Sequence, residues 1–179
     1  TDKASRFIQL CDAHDLPIVS LCDTPGFMVG PEAEETAQVR HFSRMFVTAG
    51  SITVPWLTVV LRKGYVLGAQ AMAGGSFHAT SFTVSWPTGE FGGMGLEGAV
   101  RLGFKKELDA IADPVERKAL EDKLIASAYE RGSALNMASH MEIDEVIDPA
   151  DTRMRIAGML RSYPPTPQRT GKKRPMIDT

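Results

Sequence analysis

Apolar residues recur along the chain at two periods. Over residues 2–14, Phe7, Ile8, Leu10 and Cys11 fall at near-helical spacing until His14-Asp15 and Pro17 stop the pattern, which predicts a short amphipathic helix. Residues 17–23 form a mostly apolar run with β-branched members, bounded by Pro17 and by Thr24-Pro25-Gly26, and read as a buried strand. Pro31 followed by Glu32, Glu34 and Glu35 is a helix start that suits the macrodipole, and Val39, Phe42, Met45 and Phe46 carry one apolar face as far as Gly50. A second buried strand spans residues 55–61. Arg62-Lys63-Gly64-Tyr65 lead from it to a small-residue helix at 68–73, and a third strand covers 81–86 after Gly74-Gly75. Beyond it lie a Gly-rich loop at 89–95 and helices at 96–104 and 113–131, the latter capped by Asp113 with Pro114 at its first position. A short strand at 145–147 and a closing helix at 152–161 complete the pattern. Strands alternating with helices of these lengths imply an α/β fold with a parallel sheet and right-handed crossovers.

Composition narrows the picture. A chain of 179 residues with 43% hydrophobic and 23% charged residues is ordinary for a soluble globular domain. Residues 1–162 read as one domain, and 163–179 as a Pro-rich basic tail expected to lie extended over a surface or a partner. No internal repeat interrupts this division. A net charge of −2 argues against a broad nucleic-acid footprint. No apolar run approaches the roughly 18 residues of a membrane span, and no charged-then-apolar leader is present. Cys11, in the first helix, and Cys22, in the first strand, read as buried free thiols, which suits a reducing cytosol. The chain opens on Thr1 and runs straight into a helical pattern, so it is expected to be a piece of something longer.

Candidate chemistry concentrates where strands turn into helices, because unpaired backbone amides there face any anionic group beyond the strand ends. Asp23-Thr24-Pro25-Gly26-Phe27 is one such turn, with the amides of Gly26 and Phe27 available to a ligand. Residues 64–69 form the other, where Gly68 and Ala69 are small enough for close approach. Together the two turns can build an oxyanion hole, in which amides stabilise charge developing on an oxygen. The plainer alternative stays open: Pro25-Gly26 as a turn only, and Gly68-Ala69 as a close helix contact only. Asp23-Thr24-Pro25-Gly26 also matches the Asp-x-x-Gly box of GTPases, but the chain lacks a phosphate loop. None of its serines sits in a Gly-x-Ser-x-Gly elbow. His41 reads as a solvated or interface residue, and His78 has no assignable partner. No Cys, His and carboxylate cluster has metal-ligand spacing, so no metal is expected. Glu34-Glu35 and Glu142, Asp144 and Glu145 read as capping or solvating residues.

Several motifs occur in an order shared with one family. They are residues 21–30 (Leu-Cys-Asp-Thr-Pro-Gly-Phe-Met-Val-Gly), Arg62-Lys63-Gly64-Tyr65, Trp86-Pro87-Thr88-Gly89-Glu90, Met94-Gly95 with Gly98-Ala99-Val100, and Ile147-Asp148-Pro149-Ala150-Asp151-Thr152-Arg153. Over almost its whole length the chain resembles the C-terminal half of the carboxyltransferase (β) subunit of biotin-dependent acyl-CoA carboxylases, particularly the propionyl-CoA carboxylase type. The resemblance implies a crotonase-like spiral of β-β-α units. It also implies a shared active site, in which an N-terminal carboxyltransferase domain mainly holds acyl-CoA and this C-terminal one mainly holds biotin.

The implied reaction transfers a carboxyl group from carboxybiotin to the α-carbon of an acyl-CoA. In this resemblance the backbone amides of Leu67, Gly68, Ala69 and Phe27 stabilise the biotin ureido oxygen, and Gly26, Tyr65, Gln70, Met94 and Gly95 adjoin biotin or substrate. Implied partners are the N-terminal carboxyltransferase domain, a biotin carboxylase, a biotin carboxyl carrier bearing the cofactor, acyl-CoA and further copies of the subunit, in the bacterial cytosol or mitochondrial matrix. Propionyl-type members read Gly-Gly-Ala-Tyr-Asp after Arg-Lys-x-Tyr, whereas this chain reads Val66-Leu67-Gly68-Ala69-Gln70. The glycine is shifted by one, and the acyl preference stays open. The alternatives are a decarboxylase of the same family running the transfer in reverse, and a non-catalytic assembly module.

Overall fold

A single strand, buried on both faces, organises the molecule, which is described by a computed structural model at residues 1–165, 167, 170, 171, 173, 174 and 177. The chain runs α1 (Asp2–Ala13), β1 (Ile18–Thr24), α2 (Pro31–Glu35), α3 (Gln38–Ala49), β2 (Trp56–Tyr65), α4 (Val66–Met72), β3 (Phe82–Ser85), β4 (Glu90–Gly92), α5 (Leu96–Gly103), α6 (Lys105–Asp109), α7 (Pro114–Arg131), α8 (Ala134–Ser139), β5 (Glu145–Val146) and α9 (Thr152–Ser162). β2 lies between β1 and β3 and also pairs with β4 beyond the end of β3, while β5 pairs with β3. All of these pairings are parallel, as the alternation of strands and helices predicts.

The alternation of β2 divides the core. Leu57 and Val59 point to one side, where Phe82, Val84 and Ile147 join them under Ile156, Met159 and Leu160 of α9. Trp56 packs on the other side with Ile8, Cys11, Ile18, Met45 and Ala71, and Val60 packs there with Cys22, Ala69 and Phe91. Each such apolar side chain contributes roughly 1.5–3 kcal/mol on full burial, which is why this run of β-branched and aliphatic residues forms the centre of the sheet.

Several boundaries differ from the sequence expectation. The helix expected from Pro31 to Gly50 is broken at Ala37, which adopts φ 52, while Thr36 Oγ1 donates back to the Ala33 carbonyl at 2.9 Å. α2 buries no residue, whereas α3 buries Met45, Thr48 and Ala49, so α3 follows the packing surface and the solvated turn before it is free to bend away. β2 continues past Leu61 to Tyr65 because Lys63, Gly64 and Tyr65 pair with Glu90, Phe91 and Gly92. Those last three residues form a strand inside the expected Gly-rich loop. α4 begins at Val66, two residues before the expected start, and α6 and α8 fall where no element was expected. Ser133 caps α8 by accepting the Asn136 N–H at 3.3 Å, and Asp113 caps α7 as expected, accepting from Val115 N at 2.9 Å. Cys11 and Cys22 are buried free thiols. Burial, with the nearby Asp23 charge, pushes the Cys22 thiol up to about 12.

The expected tail includes residues 166, 168, 169, 172, 175, 176, 178 and 179, which lie outside the described residues. Lys173 and Arg174 return to the end of α1 and close over Asp12, which is 2% exposed. Arg174 Nε donates to Asp12 Oδ2 at 2.7 Å and its terminal nitrogen reaches the Ser51 carbonyl at 3.0 Å. Lys173 Nζ lies 3.0 Å from both Asp12 Oδ1 and Asp15 Oδ1, and the Thr53 N–H donates to Asp12 Oδ1 at 2.8 Å. Burial alone raises the Asp12 pKa, but the Thr53 amide and the two cations outweigh it and hold the carboxyl at about 2.

A carboxyl lowered on folding adds stability that is complete above its unfolded pKa of 3.8 and is lost as the pH falls through about 2. Arg174→Ala is expected to lower the unfolding free energy at neutral pH by roughly 1–3 kcal/mol, since it removes one partner of a buried charge. Its stability should fall less steeply than the wild type's over that acid range, as read by urea unfolding at stepped pH.

Candidate active site

The ends of β1 and β2 meet at one place. β1 leaves the sheet at Thr24 and turns through Pro25-Gly26. Gly26 adopts φ 107, a conformation that glycine takes without a steric penalty, and its N–H donates to Thr24 Oγ1 at 3.2 Å. Phe27 follows with its ring stacked on Phe42 of α3 at a centroid distance of 4.3 Å. β2 ends at Tyr65, and Val66, at φ 56, turns the chain into α4 with no loop between. A left-handed β-branched residue is a strained one, costing of order 1–3 kcal/mol.

Gly68, in the first turn of α4, lies against the first turn's backbone. A Cβ at Gly68 would stand 2.7 Å from Gly26 Cα, 2.9 Å from the Gly26 carbonyl carbon and 3.3 Å from the Phe27 nitrogen. Any larger residue must push the two turns apart. The first four N–H groups of an α-helix, counted from its N-cap, have no intrahelical acceptor. In α4, whose N-cap is Tyr65, these belong to Tyr65, Val66, Leu67 and Gly68; the expected Ala69 donor instead opens the helix's own ladder at the Tyr65 carbonyl. The Phe27 N–H likewise has no acceptor among the described residues. Donors from two strand ends thus share one contact, the arrangement that stabilises an oxyanion.

Side chains brace this junction. Asp23 accepts from the Lys63 amide at 3.0 Å and from Arg62 at 3.2 and 3.3 Å. The Lys63 amide first, and then Arg62, hold its pKa below the usual value. Tyr65, 2% exposed, donates to Glu90 Oε2 at 2.8 Å. Burial and the Glu90 carboxylate push its phenol upward, so it serves as a neutral donor.

Beside α4 opens a cavity of about 660 Å³. Leu67 and Gln70 line it together with Phe77, Phe91, Phe104 and Met137, and Arg131 and Glu142 are its charged members. Of the sequence-predicted site residues, Gly26, Phe27 and Gly68 come together at the junction, Ala69 is buried below it with Cys22, Val60 and Phe91, and Leu67 and Gln70 reach the cavity wall. Tyr65 is buried beneath the junction. Met94 and Gly95 do not line the cavity: Met94 is exposed, and Gly95 precedes α5. His41 Nδ1 lies 2.7 Å from Asp2 Oδ2. His78, expected to have no partner, has its Nε2 3.7 Å from Glu142 Oε2. Among the described residues no group of His, Cys, Asp and Glu is placed to hold a metal, and no helix is long and apolar enough to cross a membrane.

Sequence reading missed Val66, Glu90, Phe42 and the aromatic cavity wall. A three-residue strand is too short to show period-two alternation, so Phe91 carried no signal among its glycines. The Phe27–Phe42 stack joins residues fifteen apart across a helix break that the pattern did not show.

Residues 1–177 match the family model for the carboxyl transferase domain. The chain is 37% identical over 163 residues to the methylmalonyl-CoA carboxyltransferase 12S subunit of Propionibacterium freudenreichii subsp. shermanii, covering 91% of this chain and 30% of that subunit. Among solved structures, a single-chain, multi-domain long-chain acyl-CoA carboxylase is 57% identical at TM-score 0.77, over 88% of this chain and 15% of that one. The transcarboxylase 12S hexamer with methylmalonyl-CoA and methylmalonic acid bound is 35% identical at TM-score 0.83, over 99% of this chain and 34% of its own. The chain thus spans about a third of the 12S subunit.

Tyr65→Phe removes the buried hydroxyl and leaves Glu90 without that donor. It is expected to cost roughly 1 kcal/mol, measured by chemical denaturation, and to speed hydrogen exchange at the β2–β4 amides.

Proposed function

The chain belongs to the carboxyl transferase domain family and has its crotonase-like α/β fold, and from that premise we propose that it forms the biotin side of a carboxyltransferase active site. The reaction is transfer of a carboxyl group from carboxybiotin to the α-carbon of an acyl-CoA. The observation that carries the reading is the contact of Gly68 with Gly26 and Phe27, which gathers amide donors from two strand ends. The similarity to acyl-CoA and methylmalonyl-CoA carboxyltransferases supports it.

Carboxybiotin on a separate carrier domain would supply the carboxyl group, and the amides of the two turns would hold its ureido oxygen, where leaving-group charge would be stabilised. The N–H groups of Phe27, Leu67 and Gly68 are fixed by the backbone before any charge develops, while Ala69, whose own N–H is bonded in the helix, supports them from below. Preorganised donors of this kind are worth roughly 3 kcal/mol each in a water-excluded site. Leu67 and Gln70 face the adjoining cavity, whose apolar wall lowers the local dielectric and strengthens those hydrogen bonds. Gly26 permits the turn, and Tyr65, through Glu90, ties β2 to the strand that carries Phe91. Met94 and Gly95 lie outside the cavity wall, at the start of α5, and would reach a ligand only from the side that the N-terminal carboxyltransferase domain closes. Among the described residues no side chain at the junction is placed as a general base; the α-proton displaced from the acyl-CoA would pass to the biotin nitrogen that gives up the carboxyl group.

The other half of the site comes from an N-terminal carboxyltransferase domain holding acyl-CoA, within an oligomeric assembly served by a biotin carboxylase and a biotin carrier. Residues 1–162 form the transferase unit and 163–179 its tail.

Gly68→Val, placed in the complete carboxylase, is expected to lower transfer by roughly 10²–10³-fold, the scale of losing an oxyanion donor, with the far-ultraviolet dichroism unchanged. Gly68→Ala is the milder companion should the valine variant misfold. Near-normal activity in either folded variant removes the turn from the site. Free biotin at millimolar concentration is expected to perturb the amide resonances of Phe27 and Gly68. The chain alone should carboxylate no acyl-CoA, and turnover by it alone overturns the shared-site reading.

A further inference from the structure

Among the described residues, three buried side-chain polar atoms in the core have no hydrogen-bond partner: Ser20 Oγ, Thr58 Oγ1 and Trp56 Nε1. Their placement is not scattered. Ser20 on β1 is the register partner of Thr58 on β2, and Thr58 is the register partner of Thr83 on β3. The three hydroxyls therefore form a row across adjacent strands on one face of the sheet, and Trp56 stands two residues before Thr58 on that face. Thr83 is satisfied, donating to the Phe77 carbonyl at 2.6 Å and lying 2.8 Å from Thr80 Oγ1. The other two hydroxyls have no partner among the described residues.

The row also explains why this face carries two apolar clusters. Ile18 and Trp56 pack with Ala71 on one side of it, and Cys22 and Val60 pack with Ala69 on the other, while Met72 touches both clusters. Ser20 and Thr58 sit at the seam between them, beneath α4. The residues that α4 buries there are the small Gly68, Ala69 and Ala71, with Met72 partly buried beside them, and none of these side chains offers the hydroxyls a hydrogen-bonding group. Leaving each group unpaired costs roughly tenfold or more in the folding equilibrium. Buried waters answer this need, typically making about three hydrogen bonds to otherwise unsatisfied groups.

We propose that the seam is a water-binding site, in which one buried water bridges Ser20 Oγ and Thr58 Oγ1 and accepts the Trp56 Nε1–H. Its oxygen accepts hydrogen bonds from the indole N–H and from one hydroxyl, and one of its own hydrogens is donated to the other hydroxyl. The site is independent of the carboxyltransferase reading and underlies the helix on which that reading depends.

The test is a crystal structure of the full chain at a resolution that shows ordered water, with equilibrium unfolding of Ser20→Ala, Thr58→Val and the double variant. One water within hydrogen-bond distance of both hydroxyls is expected. Each single variant should lower the folding equilibrium constant about tenfold, and the double variant by clearly less than the product of the two, because a dry apolar pair leaves fewer orphaned groups. A dry seam with Ser20 bonded directly to Thr58, or effects that multiply with no water density, overturns the proposal. Should Thr58→Val fail to fold, Thr58→Ser keeps the hydroxyl and must retain the water.

Discussion

Backbone against backbone, with no side chain between, is the closest approach two chain segments can make, and Gly68 makes it with Gly26 and Phe27. That contact constrains everything around it. β1 and β2 have to be neighbours with their ends level, which their parallel register supplies from Ile18 opposite Trp56 onward. α4 has to start as soon as β2 stops, which Val66 achieves by accepting a left-handed conformation. The strain is held in place by what surrounds it: Ala69 and Ala71 are fully buried below, and Asp23 is tied to Arg62 and Lys63 across the two strands.

The cavity depends on the same constraint one layer out. Because β2 runs on to Tyr65, its last residues gather β4 from the Gly-rich segment, and β4 brings Phe91 against Phe77 at a ring distance of 5.4 Å. α5, α7 and α8 then close around that aromatic pair. Their inward residues are modest in number, and α7 buries none, so the elements form a wall around an open space and leave it unfilled. An apolar cavity beside a cluster of fixed donors suits a reaction whose charge appears on a ligand oxygen.

Polar groups elsewhere in the core sit in well-defined places. Asp12 is nearly inaccessible, yet two cations and an amide converge on it from sequence positions far away. The clasp ties the described part of the tail to α1 and to the turn before β2. Desolvation offsets part of what this pairing contributes, and losing one member leaves a buried charge with fewer partners. The hydroxyl row beneath α4 follows the same logic on a smaller scale: its cost is set by what remains unsatisfied.

Much was legible in the order of residues. Helical and strand periods located α1, β1, β2, β3, α7 and α9, because these elements are long enough, or apolar enough, for local pattern to match their surroundings. Pro25-Gly26 and Gly68-Ala69 marked themselves as special by composition, and the ordered motifs pointed to the family. Tertiary structure decided the rest. Whether Gly68 touches Gly26 depends on the pairing of strands some forty residues apart, and no local pattern encodes that distance. Glu90-Phe91-Gly92 becomes a strand only because β2 offers it an edge, and Ala37 breaks a helix only because α3 follows α1. Short-range chemistry determined which segments were able to turn, stiffen or approach closely. Long-range packing determined which of them met, since the free energy of burial belongs to the assembled core and to no single segment.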